Sequence, residues 1–265
     1  MIEPIAEDQI AEKRLNVGED GRRIAVLARP GAGAAPGVFW LGGFKSDMQG
    51  SKAQALDGWA AKCRRQATRF DYSAHGRSSG RFEYGTISRW LEEALAVFRD
   101  FTSGPQIIVG SSMGGWIALL MAKALREAGE ADRLAGLVLI APAVDMTKTL
   151  LWDRFDDAAR REIEEKGFYE QPSDYADEPY IFTRPLIEDG KAHLFGEAII
   201  ETGCPVHVIQ GMLDADVPWT HATALMERLA LDDAVLTLVR DGDHRLSRKQ
   251  DIKRLIRAVA EIGQR

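Results

Sequence analysis

Three residue types in this chain could together make a weak nucleophile into a strong one. Ser112 sits in Gly110-x-Ser112-x-Gly114, Asp214 in Gly211-Met-Leu-Asp214, and His244 in Asp241-Gly-Asp-His244. A serine hydroxyl at its free pKa attacks carbonyls poorly, so it needs a base to take its proton and donors for the oxyanion it creates. An imidazole suits the first task because its pKa lies near neutral pH. A carboxylate behind the ring fixes the tautomer and stabilises the imidazolium. The glycines two residues either side of Ser112 mark a sharp strand-to-helix corner that pushes Oγ outward. The bland alternative is an ordinary Gly-rich turn. The flanking residues argue against it, since Ile107-Ile108-Val109 reads as a buried strand and 116–125 as a helix whose amide end faces the corner.

Position separates the rivals. The chain has five histidines. His207 lies within a strand and reads as structural. His193 and His221 fall in an insertion and at a helix start, with no acid in a matching place. His75 lies in a loop that approaches the site, as a candidate substrate contact, but it precedes the serine. Among the acids, Asp216 stands two residues late, with capping or a solvated position as its plain reading. Asp241 and Asp243 adjoin His244 and read as shaping its turn. An oxyanion hole needs two backbone N–H groups. Met113 offers one, and the loop after the strand at 38–41 offers the other, with Phe44 the leading candidate and a tight Gly42-Gly43 turn the plain alternative.

The elements that must position these residues alternate. Residues 13–17 and 22–28 read as a hairpin, 30–37 as a surface loop, and 38–41 as a buried strand. A helix is expected over 53–65, a strand over 67–72 and an amphipathic helix over 86–101. A strand at 134–140 follows the Ser112 helix. Strands at 206–210 and 234–239 enclose a helix near 220–229, and Ile252, Leu255, Ile256 and Val259 mark a closing helix. This rhythm implies a mostly parallel sheet with helices on both faces. Sites in such sheets lie at the carboxyl ends of strands, where all three residues fall. The rhythm pauses over about 145–203. That stretch is rich in aromatics (Trp152, Phe155, Phe168, Tyr169, Tyr175, Tyr180, Phe182) and carries a helical stripe at Phe155, Ala159 and Ile163. It reads as a lid, against a mere surface excursion.

Composition closes off other classes. The chain has 265 residues, 45% hydrophobic and 28% charged, which suits one α/β domain over 1–265 with its lid. A net charge of −6 disfavours nucleic acid. No apolar run approaches a membrane span. The acidic start does not read as a secretory or transit signal, and Cys63 and Cys204 read as reduced thiols, so a cytoplasmic location is expected. Neither metal-ligand spacing nor a phosphate loop appears, and the chemistry above needs no cofactor.

The order Ser, Asp, His is that of the α/β-hydrolases, and the chain resembles that superfamily. More narrowly it resembles the palmitoyl-protein thioesterase and mycophenolic acid acyl-glucuronide esterase branch. The stretches that carry this are Gly43-Phe-Lys-Ser-Asp-Met-Gln-Gly-Ser-Lys-Ala53, Phe70-Asp-Tyr-Ser73 with Gly76-x-Ser78-Ser79-Gly80, Gly110-Ser-Ser-Met-Gly-Gly-Trp116, Gly167-Phe-Tyr-Glu-Gln-Pro-Ser-Asp-Tyr175, Gly211-Met-x-Asp214-x-x-Val217-Pro-Trp219 and Asp243-His244-Arg245. The resemblance implies an α/β-hydrolase fold, a Ser112–Asp214–His244 triad and oxyanion donors at Phe44 and Met113. It implies cleavage of acyl thioesters, esters or acyl glucuronides, on a small-molecule or acyl-protein substrate. Gly42-Gly43 stands where many hydrolases have His-Gly. Two alternatives stay open on the sequence: a catalytically silent binding module on the same fold, and a peptidase or acyltransferase using the same three residues.

Overall fold

The computed structural model describes residues 10–33, 35–172 and 179–264. The acidic start at residues 1–8, part of the 30–37 loop, and Ser173 to Tyr175 of the lid motif lie outside the described residues.

Eight strands form one sheet. They are β1 (Lys13–Val17), β2 (Arg22–Arg29), β3 (Gly37–Leu41), β4 (Ala67–Phe70), β5 (Gln106–Ser111), β6 (Leu134–Ile140), and two strands that follow the insertion, at Val206–Gly211 and Ala234–Val239. The insertion adds its own pair, β7 (Phe168–Gln171) and β8 (Tyr180–Thr183), so the last two are β9 and β10. The sheet order is β1-β2-β4-β3-β5-β6-β9-β10. Only β1 with β2 and β2 with β4 run antiparallel; every other neighbouring pair is parallel. This is the α/β-hydrolase fold.

Two-residue periodicity sorts the strand side chains onto two faces. Ile108 of β5 packs with Phe39 and Leu41 of β3 on one face. There α2 (Ile87–Phe101) contributes Trp90, Val97 and Phe98, and α3 (Met113–Glu127) contributes Trp116, Ile117 and Met121. Ile107 and Val109 join Val38 and Trp40 on the other face, against α1 (Ser51–Lys62) and the closing helix at Lys249–Ile262. A sheet buried on both faces explains why the central strands read as unbroken apolar runs. Among the described residues no helix is long and apolar enough to cross a membrane. Cys63 is exposed and Cys204 buried, and neither forms a disulfide.

Between β6 and β9 the chain leaves the sheet. A π-helical turn (Thr147–Trp152) leads to α4 (Asp157–Lys166), the antiparallel β7–β8 pair and α5 (Arg184–Gly190). The Asp156 side chain accepts the Ala159 N–H at 2.8 Å and so starts α4 after Phe155. The expected helical stripe is therefore only half helical. Ala159 and Ile163 lie on α4, whereas Phe155 packs from the preceding turn, 5.3 Å from the Tyr169 ring and 5.6 Å from Phe182. Two further helices, α6 (Trp219–Arg228) and α7 (Lys249–Ile262), complete the chain.

Candidate active site

β5 ends at Ser111 and α3 begins at Met113, which leaves Ser112 at the corner with φ 54° and ψ −119°. A residue other than glycine in this region carries strain on the order of 1–3 kcal/mol, so the surroundings must enforce it. They do so through the main chain. Ser112 N–H donates to the Ile140 carbonyl at 2.8 Å, and the Ser112 carbonyl accepts from Gly115 N–H (2.8 Å) and Ala143 N–H (3.1 Å). A Cβ on Gly114 would lie 2.6 Å from the Gly42 carbonyl oxygen and closer still to that of Leu41. One on Gly110 would lie 2.6 Å from the Gly114 carbonyl carbon. The glycines at 110 and 114 thus let the elbow press against both its own helix and the end of β3.

Asp214 and His244 arrive on adjacent loops. Gly211 at the end of β9 has room only for hydrogen, because a Cβ would lie 2.6 Å from the Asp243 carbonyl oxygen. Met212 N–H and Leu213 N–H donate to Val239 and Gly242 carbonyls, each at 2.9 Å, and zip the two loops together. His244 then lies between its two partners: Nδ1 is 2.8 Å from Asp214 Oδ2, and Nε2 is 3.1 Å from Ser112 Oγ. A ring nitrogen facing a carboxylate carries the proton, so Nε2 presents its lone pair to the serine hydroxyl. The Asp214 carboxylate is fully enclosed. Oδ1 accepts from Asp216 N–H (3.0 Å) and Val217 N–H (2.8 Å), and Oδ2 also accepts from Gln210 Nε2 (3.0 Å). Such an arrangement can draw a proton from a hydroxyl and hold the resulting imidazolium.

Asp214, Asp216 and His244 place one ligand atom each within 4.8 Å of one another. They do not fit an open metal site. The four acceptor positions of the Asp214 carboxylate are already taken by N–H donors, one of them from the ring itself.

The Gly42-Gly43-Phe44 turn lies against the elbow. A Cβ on Gly43 would sit 3.4 Å from Ser112 Cβ and 3.3 Å from the Ser111 carbonyl oxygen. The Gly43 backbone, which leads into the Phe44 peptide, therefore lies beside Ser112, whose own peptide leads to Met113. The Phe44 ring faces outward into an aromatic cluster, with centroids 4.9 Å from Phe82, 5.5 Å from Phe182 and 5.9 Å from Tyr180. Tyr180 and Phe182 belong to β8, so these rings join the turn to the insertion. Lys45 Nζ adds a hydrogen bond to the Pro179 carbonyl at 2.7 Å and lies over the Phe82 ring at 5.4 Å.

The other candidates fall elsewhere. His207 Nε2 meets Thr237 Oγ1 across the β9–β10 ladder at 2.8 Å. Asp241 pairs with Arg248, and Asp243 Oδ1 accepts Leu246 N–H at 2.9 Å, so both shape the final turn. His193 does have an acid after all: Asp189 Oδ2 lies 3.9 Å from Nε2, and Ser88 Oγ lies 2.6 Å from that same nitrogen. A ring that meets acid and hydroxyl through one atom cannot relay a proton between them, and Ser88 lies in the regular first turn of α2. Its role is to join α2 to α5. His75 is buried and makes its hydrogen bonds with backbone. Sequence reasoning passed over Gln210, whose amide also bonds the Val217 carbonyl at 2.9 Å. The available signal was a lone amide inside an apolar strand directly ahead of the acid.

Comparison with known proteins agrees with this fold. A family model described as "Alpha/beta hydrolase family" matches residues 25–258. The mitochondrial palmitoyl-protein thioesterase ABHD10 of Mus musculus is 34% identical over 231 residues, covering 87% of this chain and 76% of that protein. The Bos taurus protein of the same name is 32% identical, covering 87% and 74%. Among solved structures, a putative hydrolase from Agrobacterium vitis S4 superposes with a TM-score of 0.92 at 51% identity, covering 96% of this chain and 98% of the other. The mouse alpha/beta hydrolase domain-containing protein 10 gives 0.83 at 30% identity, covering 95% and 98%.

Proposed function

This chain belongs to the alpha/beta hydrolase family, and on that premise we propose that it is a serine hydrolase cleaving acyl thioesters or carboxylic esters through an acyl-enzyme. The observation that carries the reading is the continuous Ser112–His244–Asp214 chain, with contacts of 3.1 and 2.8 Å, set on a strained elbow. In this reading Ser112 Oγ attacks the acyl carbon while His244 Nε2 takes its proton. The carbonyl oxygen becomes an oxyanion, received by the Phe44 and Met113 N–H groups. The carbon–sulfur or carbon–oxygen bond then breaks, and His244 returns the proton to the departing thiolate or alkoxide. A water molecule, deprotonated by the same nitrogen, attacks the acyl-enzyme; the bond to Ser112 Oγ breaks, His244 returns that proton to Oγ, and the acid leaves. Asp214, oriented by Gln210, keeps the ring in the required tautomer throughout.

Thioesters are favoured over other leaving groups because the curated relatives are named palmitoyl-protein thioesterases. An apolar acyl group fits the rings of Phe44, Tyr180 and Phe182. The segment over about 145–203 acts in this reading as a lid on one domain spanning 1–265. A cytoplasmic location belongs to the same proposal, supported by two unpaired thiols and tested by imaging the tagged full-length chain.

A panel of para-nitrophenyl esters and acyl thioesters, from acetyl to palmitoyl, tests the chemistry. Wild type should turn over with a chain-length optimum, and Ser112→Ala should lose about 10⁴-fold or more in kcat. Equal, negligible turnover by both proteins overturns the reading and leaves the silent binding module.

A further inference from the structure

The loop at 71–80 has no role in the chemistry above, yet it faces the turn that presents Phe44. His75 is 3% exposed, walled by the rings of Tyr72, Phe82 and Trp90 at 5.3–5.8 Å. Its two nitrogens have opposite partners. Nδ1 lies 2.9 Å from the Ser73 carbonyl oxygen, and Nε2 lies 3.0 Å from Lys45 N. A carbonyl only accepts and a peptide N–H only donates, so the proton sits on Nδ1 and the Nε2 lone pair receives the Lys45 N–H.

We propose that His75, neutral and protonated on Nδ1, is a positioning residue for the oxyanion hole: by holding Lys45 N–H it fixes the Phe44 peptide beside Ser112. The proposal rests on the serine-hydrolase reading and extends it to a residue that never touches substrate.

The turn needs such a hold. Lys45 has φ 55°, a left-handed conformation that a side chain disfavours. The loop that carries His75 is itself fastened to the same turn. Asp71 Oδ1 accepts Met48 N–H at 2.6 Å, and Oδ2 accepts Arg77 N–H at 2.8 Å. Ser78 Oγ–H donates to the Asp71 carbonyl at 2.6 Å. Gly76, at φ 46°, leaves no room for a Cβ, which would lie 2.5 Å from Asp71 Cγ. The Phe70-Asp-Tyr-Ser73 and Gly76-x-Ser78 pattern is thus a cradle with two acceptors, Asp71 and His75, that receive two N–H groups of one turn. Burial, with Lys45 nearby, pulls the His75 pKa down to about 4, so the ring stays neutral at ordinary pH.

Two variants and a spectrum test this. His75→Phe keeps a planar ring without an acceptor, and His75→Gln places an amide oxygen near the lost Nε2. The Phe variant should lose about 10- to 100-fold in kcat, with KM little changed, because misplacing an oxyanion donor acts on the transition state. The Gln variant should recover about tenfold of that loss. A Phe variant as fast as wild type overturns the proposal. So does a Gln variant no faster than Phe when both melt at one temperature, since the ring would then serve packing alone. Imidazole ¹⁵N spectra of wild type should show hydrogen on Nδ1, and a signal from Nε2–H overturns the contact whatever the kinetics. Ser112→Ala runs in the same assay. If wild type does not exceed it, the hydrolase reading has failed and the kinetic role with it, while the spectrum still decides the contact.

Discussion

Two walls meet at the Phe44 ring, and they are held by different forces. On one side, the turn after β3 is fixed by directional bonds to its backbone: His75 on Lys45 N–H, Asp71 on Met48 N–H, and Ser46 Oγ–H on the Gly43 carbonyl at 2.9 Å. On the other, the insertion after β6 meets that turn chiefly through rings, with Phe182 between Phe44, Phe155 and Tyr180 at 5.5–6.1 Å. Hydrogen bonds fix position and angle, whereas ring contacts tolerate small slides. The difference suits the proposed chemistry. An oxyanion donor must meet a developing charge at about 3 Å. An acyl chain needs only apolar area, which is non-directional.

The contrast can be broken first at the elbow. Gly114→Ala would drive a Cβ against two rigid carbonyls, of Leu41 and Gly42. It should cost about 3 kcal/mol or more in unfolding free energy, and at least about 10²-fold in kcat for every acyl length. Denaturant melts and the ester panel measure both, and a normally active variant would show that main-chain contact does not set this wall. The ring wall should answer differently. Phe182→Ala removes a side chain only 6% exposed and should cost about 3 kcal/mol. Its kcat on the acetyl ester should change by less than about tenfold, while the preferred acyl length shifts. Uniform loss across the panel would erase the distinction between the walls.

The last effect is silent at neutral pH and sharpens the comparison only on acidification. The His75 pKa falls from 6.5 to about 4 on folding, chiefly through burial. Between those values the unfolded chain binds a proton that the folded chain does not, so stability drops as pH falls through that window. The loss reaches about 3 kcal/mol by the lower limit. His221, also lowered by burial, adds the same sign. Asp71 and Glu93, raised by burial, act oppositely. Comparing the acid slope of wild type with that of His75→Gln isolates the imidazole: the variant should have the shallower slope, and matched slopes would deny its buried neutral state.

The sequence revealed what local pattern encodes. The apolar runs of β3, β5, β6 and β9 are visible because both sheet faces are covered, and the elbow is visible because strain confines its neighbours to glycine. The positions of Asp214 and His244 at strand ends followed from the alternation alone. What escaped depends on contacts between distant segments. Nothing near His193 in the chain says that Ser88 will meet it, and the partner of His75 is a backbone N–H with no side-chain signature. The β7–β8 pair escaped because its strands have four residues each, too few for an alternation to stand out among the surrounding aromatics. Phe155 satisfied helical spacing, yet Asp156 offered a cap one residue later and the helix began there.

The strand order has a consequence for biosynthesis. Ser112 follows a central strand made early, but its imidazole partner lies 132 residues further on, beyond the edge strand β10. Among the described residues β10 pairs with β9 alone, so the histidine loop takes its place only when that edge of the sheet has formed. A growing chain on the ribosome therefore carries a serine with no base beside it. Contacts so distant in sequence form late and slowly, and the three side chains come together only after β10 has been made.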